Sequence, residues 1–181
     1  MNVYEPVVAT GYEWVNCVNG DDYERFTRFD GTILGPTWEP VLVRRVRADR
    51  SQDMMRSDFP WLASEALVMR KSAVEALQDI FKDNGELLRL ETDDDVDLYV
   101  LNARVIEALD RERSEIISYP GTDKIMMLKR PAFSESAIDG VDLFRLPHRA
   151  SSTYVSENFV RRVREAGLKG LEFKRVWSSD S

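Results

Sequence analysis

The stretch "EALVMRKSAVEALQDIFKDNGELLRLE" (Glu65 to Glu91) constrains this chain most. "ALVMR" has the length and apolar content of a buried strand. Ser72 follows as a helix cap, with Glu75 three residues on, the pattern of a capping box. Ala73, Ala76, Leu77, Ile80 and Phe81 recur at helical spacing and share one face. Asn84-Gly85 then stops the helix, since glycine tolerates the left-handed conformation of a helix end. "ELLRLE" resumes as a strand. A helix with one apolar face, held between two strands, must lie against a sheet.

The same order returns near the C-terminus, in "STYVSENFVRRVREAGLKGLEFKRVW". A short strand ends at Val155, Ser156 is the cap, and Phe159, Val160, Val163 and Ala166 make the apolar stripe. Gly167 ends the helix and "LEFKRVW" closes as a strand. Two β-Ser-α-Gly-β units therefore bracket the chain, a likeness that common capping rules alone can produce. Between them "VDLYVLN", "DKIMMLKR" and "VDLFRL" read as strands, separated by turn signals at Pro120-Gly121 and Asp139-Gly140. "VIEALDRERSEII" reads as a short helix over Val105 to Leu109.

The first third reads as strands and turns. "YEWVNCV" and "EPVLVRRVR" are strand-like, the latter with Val41, Val43 and less cleanly Val46 on one side. "NGDDYERF" opens a short helix at Asp21 or Asp22, and "FDGTILGPTW" is a loop. With no linker-like tract, the 181 residues read as one α+β domain. It comprises a mixed or antiparallel sheet, about three helices and seven or eight strands. Residues 1–37 form an N-terminal strand and loop region, and 38–177 the core.

Composition narrows the function. The longest apolar runs are far too short to span a membrane. "MNVYEPVVATGYEW" lacks the basic-then-apolar order of a signal peptide. The single cysteine, Cys17, excludes an internal disulfide and fits a reducing cytoplasm. A net charge of −7 disfavours nucleic acid and anionic lipid and favours basic partners. The charge is uneven: acids dominate Asp83 to Asp97 and bases dominate Arg161 to Arg175. Both runs read first as solvated faces, with room to face each other.

The acidic segment "LETDDDVDLYVLN" holds Asp93, Asp94, Asp95 and Asp97. A calcium loop of the EF-hand kind needs Gly at its sixth position and Glu at its twelfth; counted from Asp93 these are Leu98 and Arg104, so the template fails. Asp93, Asp95 and Asp97 would still share one side of an extended segment, which leaves an open, weak cation site. Acid–base catalysis needs one carboxyl in an apolar pocket, and four aspartates in a polar turn do not provide it. His148, the only histidine, sits in the loop "RLPHRASS" near Ser151 and Ser152, where it reads as an exposed loop residue. No G-x-S-x-G elbow, zinc spacing or Gly-rich phosphate loop is present. Trp38, Trp61 and Trp177, in apolar company, read as core.

Five phrases in order carry a resemblance: "SDFPWLASEALVMRKSAVEAL", "LYVLN", "EALDRERSEI", "LFRLP" and "YVSENFVRRVREAGLKGLEFKRVW". From about Trp38 to Trp177 the chain resembles a bacterial family once described only as a domain of unknown function. That family, first named from a myxobacterial example, is now described as an immunity-protein domain of polymorphic toxin systems. The resemblance implies a non-catalytic, cytoplasmic protein that needs no cofactor and binds a cognate toxin domain made beside it. It carries over no active-site residues. It gives Ser57, Asp58, Pro60 and Trp61 structural roles, Trp61 in the core. An acidic inhibitor suits a basic toxin cleft, which makes Asp93, Asp94, Asp95 and Asp97 a candidate contact patch. A homodimer is compatible with this reading. Its rivals are a divalent-cation-dependent enzyme using the acidic segment and a self-assembling scaffold.

Overall fold

The computed structural model describes residues 1–46, 54–62, 66–94, 96–148 and 151–180. In chain order the strands are β1 (Asn2–Val8), β2 (Trp14–Cys17), β3 (Leu42–Val46), β4 (Trp61–Leu62), β5 (Val68–Arg70) and β6 (Gly85–Thr92). β7 (Leu98–Ala103), β8 (Glu115–Ser118), β9 (Ile125–Arg130), β10 (Leu143–Phe144), β11 (Tyr154–Ser156) and β12 (Leu171–Ser178) follow. The helices are α1 (Tyr23–Thr27), α2 (Lys71–Ala76), α3 (Gln78–Asn84), α4 (Glu135–Ile138) and α5 (Glu157–Glu165). The α+β class expected from the sequence holds.

A four-stranded sheet runs β10-β11-β1-β12, all antiparallel. A six-stranded sheet runs β4-β2-β3-β6-β7-β5 and is mixed, with parallel pairs at β2–β4 and β3–β6. β8 and β9 make a separate hairpin. The twelve described strands exceed the expected seven or eight because β1, β4 and β8 carry weak signals. β1 contains Pro6, which ordinarily demotes a strand. Among the described residues β11 pairs with Val3 and Tyr4 alone, so on that side of β1 Pro6 faces no strand partner and its missing N–H leaves no ladder bond unmade. β12 pairs with β1 along its whole length, from Asn2 opposite Ser178 to Val8 opposite Leu171.

Both strand–helix–strand units form, with corrections. In the second, Ser156 Oγ accepts the Phe159 N–H at 3.1 Å, as a cap should. Gly167 ends α5 at φ +67°, with its own N–H and that of Leu168 turned back onto Arg164 and Val163. Phe159, Val160 and Val163 are buried, whereas Ala166 is the exposed cap residue. In the first unit the helix breaks at Leu77 into α2 and α3. Its N-cap is Arg70, without a side-chain bond; Ser72 lies inside the first turn and donates to Asp58 Oδ1 at 2.5 Å. Gly85 is extended rather than left-handed. It is glycine because a Cβ there would lie 2.6 Å from the Asn102 carbonyl oxygen. The apolar stripe itself is correct, with Ala73, Leu77, Ile80 and Phe81 buried.

The expected helix over Val105 to Leu109 does not form. Val105 bridges Arg145 and Leu109 bridges Phe133, and the backbone is consumed by these tertiary bonds. They close an aromatic cluster in which Phe133 meets Phe144, Tyr154 and Trp177 edge-on, with ring centres 5.0–5.9 Å apart. A second cluster lies under α2, α3 and α5, and a third between β2, β3, β6, β7 and the Phe26–Phe29 segment. Trp177 is buried, while Trp38 is only half-buried, with the Arg25 guanidinium 4.5 Å above its ring.

α5 is tied to α3 by Arg162, which donates to both carboxylate oxygens of Asp79 at 2.8 and 2.9 Å. That hydrogen bonding holds the Asp79 carboxyl below its ordinary pKa of 3.8. A lowered folded-state pKa means the pair stabilises fully above the ordinary value and fades as pH falls through the lowered one. Asp79→Asn is therefore expected to lower the urea midpoint at pH 7, and the gap from wild type should close as pH drops below about 4. A gap independent of pH would show that the pair contributes nothing through charge.

Candidate functional site

The acidic turn joins β6 to β7. β3 runs parallel to β6 with Leu42 opposite Glu91 and Val43 opposite Thr92, and this register delivers Arg44 and Arg45 beside Asp93 and Asp94. Arg44 Nε donates to Asp93 Oδ2 at 2.6 Å, and Arg45 pairs with Asp94 Oδ2. Arg89 Nη2 donates to Asp97 Oδ1 at 3.1 Å. Three of the four predicted residues are thus each joined to an arginine of the same chain; Asp95 lies outside the described residues. The turn presents interleaved charge rather than a block of carboxylates. The described ion pairs do not join the acidic run to the basic one: Arg162 goes to Asp79 and Arg161 to Glu165. Among the described residues no three His, Cys, Asp or Glu side chains converge as a metal ion would require.

His148 is half-buried rather than exposed, and burial, with the nearby Arg145 charge, lowers its pKa. Ser151 Oγ is engaged by the backbone: it accepts the Leu146 N–H at 2.9 Å and donates to the Ser152 carbonyl at 3.0 Å. Arg149, beside His148, falls outside the described residues. Cys17 is half-buried, and burial pushes its thiol pKa up, with the Asp22 charge adding to the effect. No described helix is long and apolar enough to cross a membrane.

A buried polar site lies elsewhere, around "SDFPW". Glu13, Ser57 and Arg70 are all buried. Arg70 Nη2 donates to Glu13 Oε1 at 2.5 Å, and Arg70 Nε donates to the Ser57 carbonyl at 2.8 Å. The Ser57 N–H donates to the same Glu13 oxygen at 2.9 Å. Arg45 Nη1 lies 3.6 Å from Glu13 Oε2, which links this site to the acidic turn. Asp58 reaches the other way. It accepts from Ser72 Oγ and, at 2.8 Å, from the Lys169 N–H, while its own N–H donates to the Lys169 carbonyl. Gly170 packs so closely that a Cβ there would overlap Ser57 Oγ. The phrase therefore clamps β5, α2, the segment before β2 and the turn before β12. The structural roles expected of Ser57 and Asp58 are what the geometry displays; Trp61, in β4, is only half-buried. Glu13 was not legible as a partner. Arg70 carried a usable signal, a charge inside an apolar run read as buried, which demands a counter-charge.

Residues 41–178 match the model of the immunity protein family Imm11. No curated protein matches the sequence. The match spans most of the chain, and the chain belongs to the Imm11 immunity protein family.

The clamp has a measurable signature. Arg70→Met leaves Glu13 buried beside an apolar group and should cost about 3–5 kcal/mol in urea unfolding. Glu13→Leu combined with Arg70→Met should recover most of that loss, because the uncompensated charge is gone. Additive losses in the double-mutant cycle would show that the two side chains act independently.

Proposed function

We propose that the protein binds the toxic domain of a cognate secreted bacterial toxin and neutralises it by covering its working surface. The membership of the Imm11 family carries this reading. Occlusion needs no chemistry from the inhibitor, and the polar side chains best placed for chemistry are occupied by structure: Glu13, Ser57 and Arg70 in the clamp, Ser151 in backbone bonds. The protein works in the cytoplasm of the producing or sibling cell. A specific complex should bury about 1,000 Å² or more. The cation-dependent alternative gains nothing from the acidic turn, whose described aspartates are paired with arginines.

The test is co-expression in a bacterial host with the C-terminal domain of the secreted protein encoded beside this chain. Growth should stop with that domain alone and resume with both, and the two should co-elute as one complex. Arrest that persists, with separate elution, would overturn the proposal.

Asp93, Asp94, Asp95 and Asp97 enter as a steering rim. Rim charges act mainly on association rate and its salt dependence. Asp93→Asn with Asp97→Asn should slow association about two- to fivefold at low salt and leave the rate unchanged at 1 M salt, where screening reaches about 3 Å. A rate unaffected at low salt would remove these aspartates from the contact.

A further inference from the structure

Resting on the immunity reading, we infer that the β8–β9 hairpin is the surface that seats the toxin domain, through an apolar strip edged by basic side chains. Among the described residues neither strand pairs with a third, so both outer edges are open to a further strand. A two-stranded ribbon of this kind is marginal in water by itself. Ile116 faces Leu128 and Ile117 faces Met127 across the ladder, which puts the two pairs on opposite faces. Leu128 packs against the aromatic cluster, so its face turns inward. Ile117 and Met127 consequently look outward. Tyr119, Met126 and Met127 are each about half exposed, at 52%, 49% and 48%. They are three of the largest apolar exposures among the described residues, gathered within nine positions. Tyrosine and methionine are enriched at protein interfaces, methionine because its flexible thioether adapts to a partner's shape.

The hairpin is also pre-organised. At its tip the Tyr119 N–H donates to the Lys124 carbonyl at 3.0 Å and the Thr122 N–H to the Tyr119 carbonyl at 3.1 Å. At its root Asp110 Oδ1 accepts the N–H groups of Glu112 and Arg113, and Ser114 Oγ accepts the Ala132 N–H. One residue further, Leu109 bridges Phe133 at the centre of the aromatic cluster. A ribbon held at both ends loses little entropy when it docks.

Charge selects the occupant. Over residues 115–130, Lys124, Lys129 and Arg130 outnumber Glu115 and Asp123, so the hairpin is net positive in a chain of net charge −7. Glu115 is already paired with Lys129 at 2.9 Å. A second copy related by a two-fold axis would bring the same bases against these, and like charges across a docking surface act against it. The fitting partner is a protein surface with an apolar groove flanked by carboxylates, which the toxin domain must supply.

The probe is the same toxin domain used for the rescue. Met126→Glu with Met127→Glu, both at exposed positions, should keep the far-ultraviolet circular dichroism and melting temperature and weaken binding at least about 100-fold. Ile33→Glu, the same kind of apolar-to-acid change at a single exposed residue outside the hairpin, should alter Kd less than about twofold. Hydrogen exchange on the wild-type complex needs no variant: amides of 115–118 and 125–130 should slow when the toxin domain is added. A wild-type complex that tolerates the double variant and leaves those amides unchanged overturns the hairpin assignment but not the immunity reading. Absence of any wild-type complex overturns both. Concentration-dependent protection of the hairpin in the free protein, lost in the variant, would overturn the assignment in favour of a second copy.

Discussion

The ion pair between Glu13 and Arg70 holds the rest of the molecule in place. Both side chains are removed from water, and each is the other's nearest opposite charge, with Arg45 a more distant second partner of Glu13. Their partner Ser57 fixes the chain between them, and Gly170 closes over Ser57. Four segments far apart in sequence are thereby brought to one point: the approach to β2, the "SDFPW" phrase, the end of β5 and the turn before β12. Apolar packing would have many ways to press two sheets together. A buried charge with directed hydrogen bonds admits far fewer, which ties this site to the choice of one arrangement.

The family match begins at residue 41, yet earlier residues are built into the same body. β1 is an inner strand of the four-stranded sheet, Glu13 is half of the buried pair, and Phe26 and Phe29 fill one of the cores. The matched region of this chain therefore leans on a segment outside it. The N-terminal segment's polar Gly31 and Leu34 N–H groups are also spoken for, by Asn102 Oδ1 and Glu86 Oε2 of β7 and β6.

What could be read from the sequence was local. The buried stripe of Ala73, Leu77, Ile80 and Phe81, the Ser156 cap and the Gly167 stop depend on residues three or four apart, and all are present. What could not be read depended on register. The aspartates at 93 and 94 meet arginines 49 residues away only because β3 lies parallel to β6 in one particular alignment. Ser72 fits the capping pattern, but Asp58 offers its hydroxyl a better acceptor and the cap is not made. "VIEALD" has helical composition, yet its apolar residues serve the aromatic cluster better in an extended path. β8 was hidden by the charged, helix-like residues before it.

The pairing of β1 with β12 sets a clock on the protein's usefulness. Residue 2 finds its partner at residue 178, so the four-stranded sheet cannot be completed until nearly all of the described chain has been synthesised. At roughly 5–20 residues per second, that is a delay of about ten to forty seconds from the first residue. A prematurely ended chain would lack the strand that covers β1 and also the Gly170 turn that seals Ser57. The last strand thus completes the fold, and until it arrives both β1 and Ser57 lack the segment that covers them.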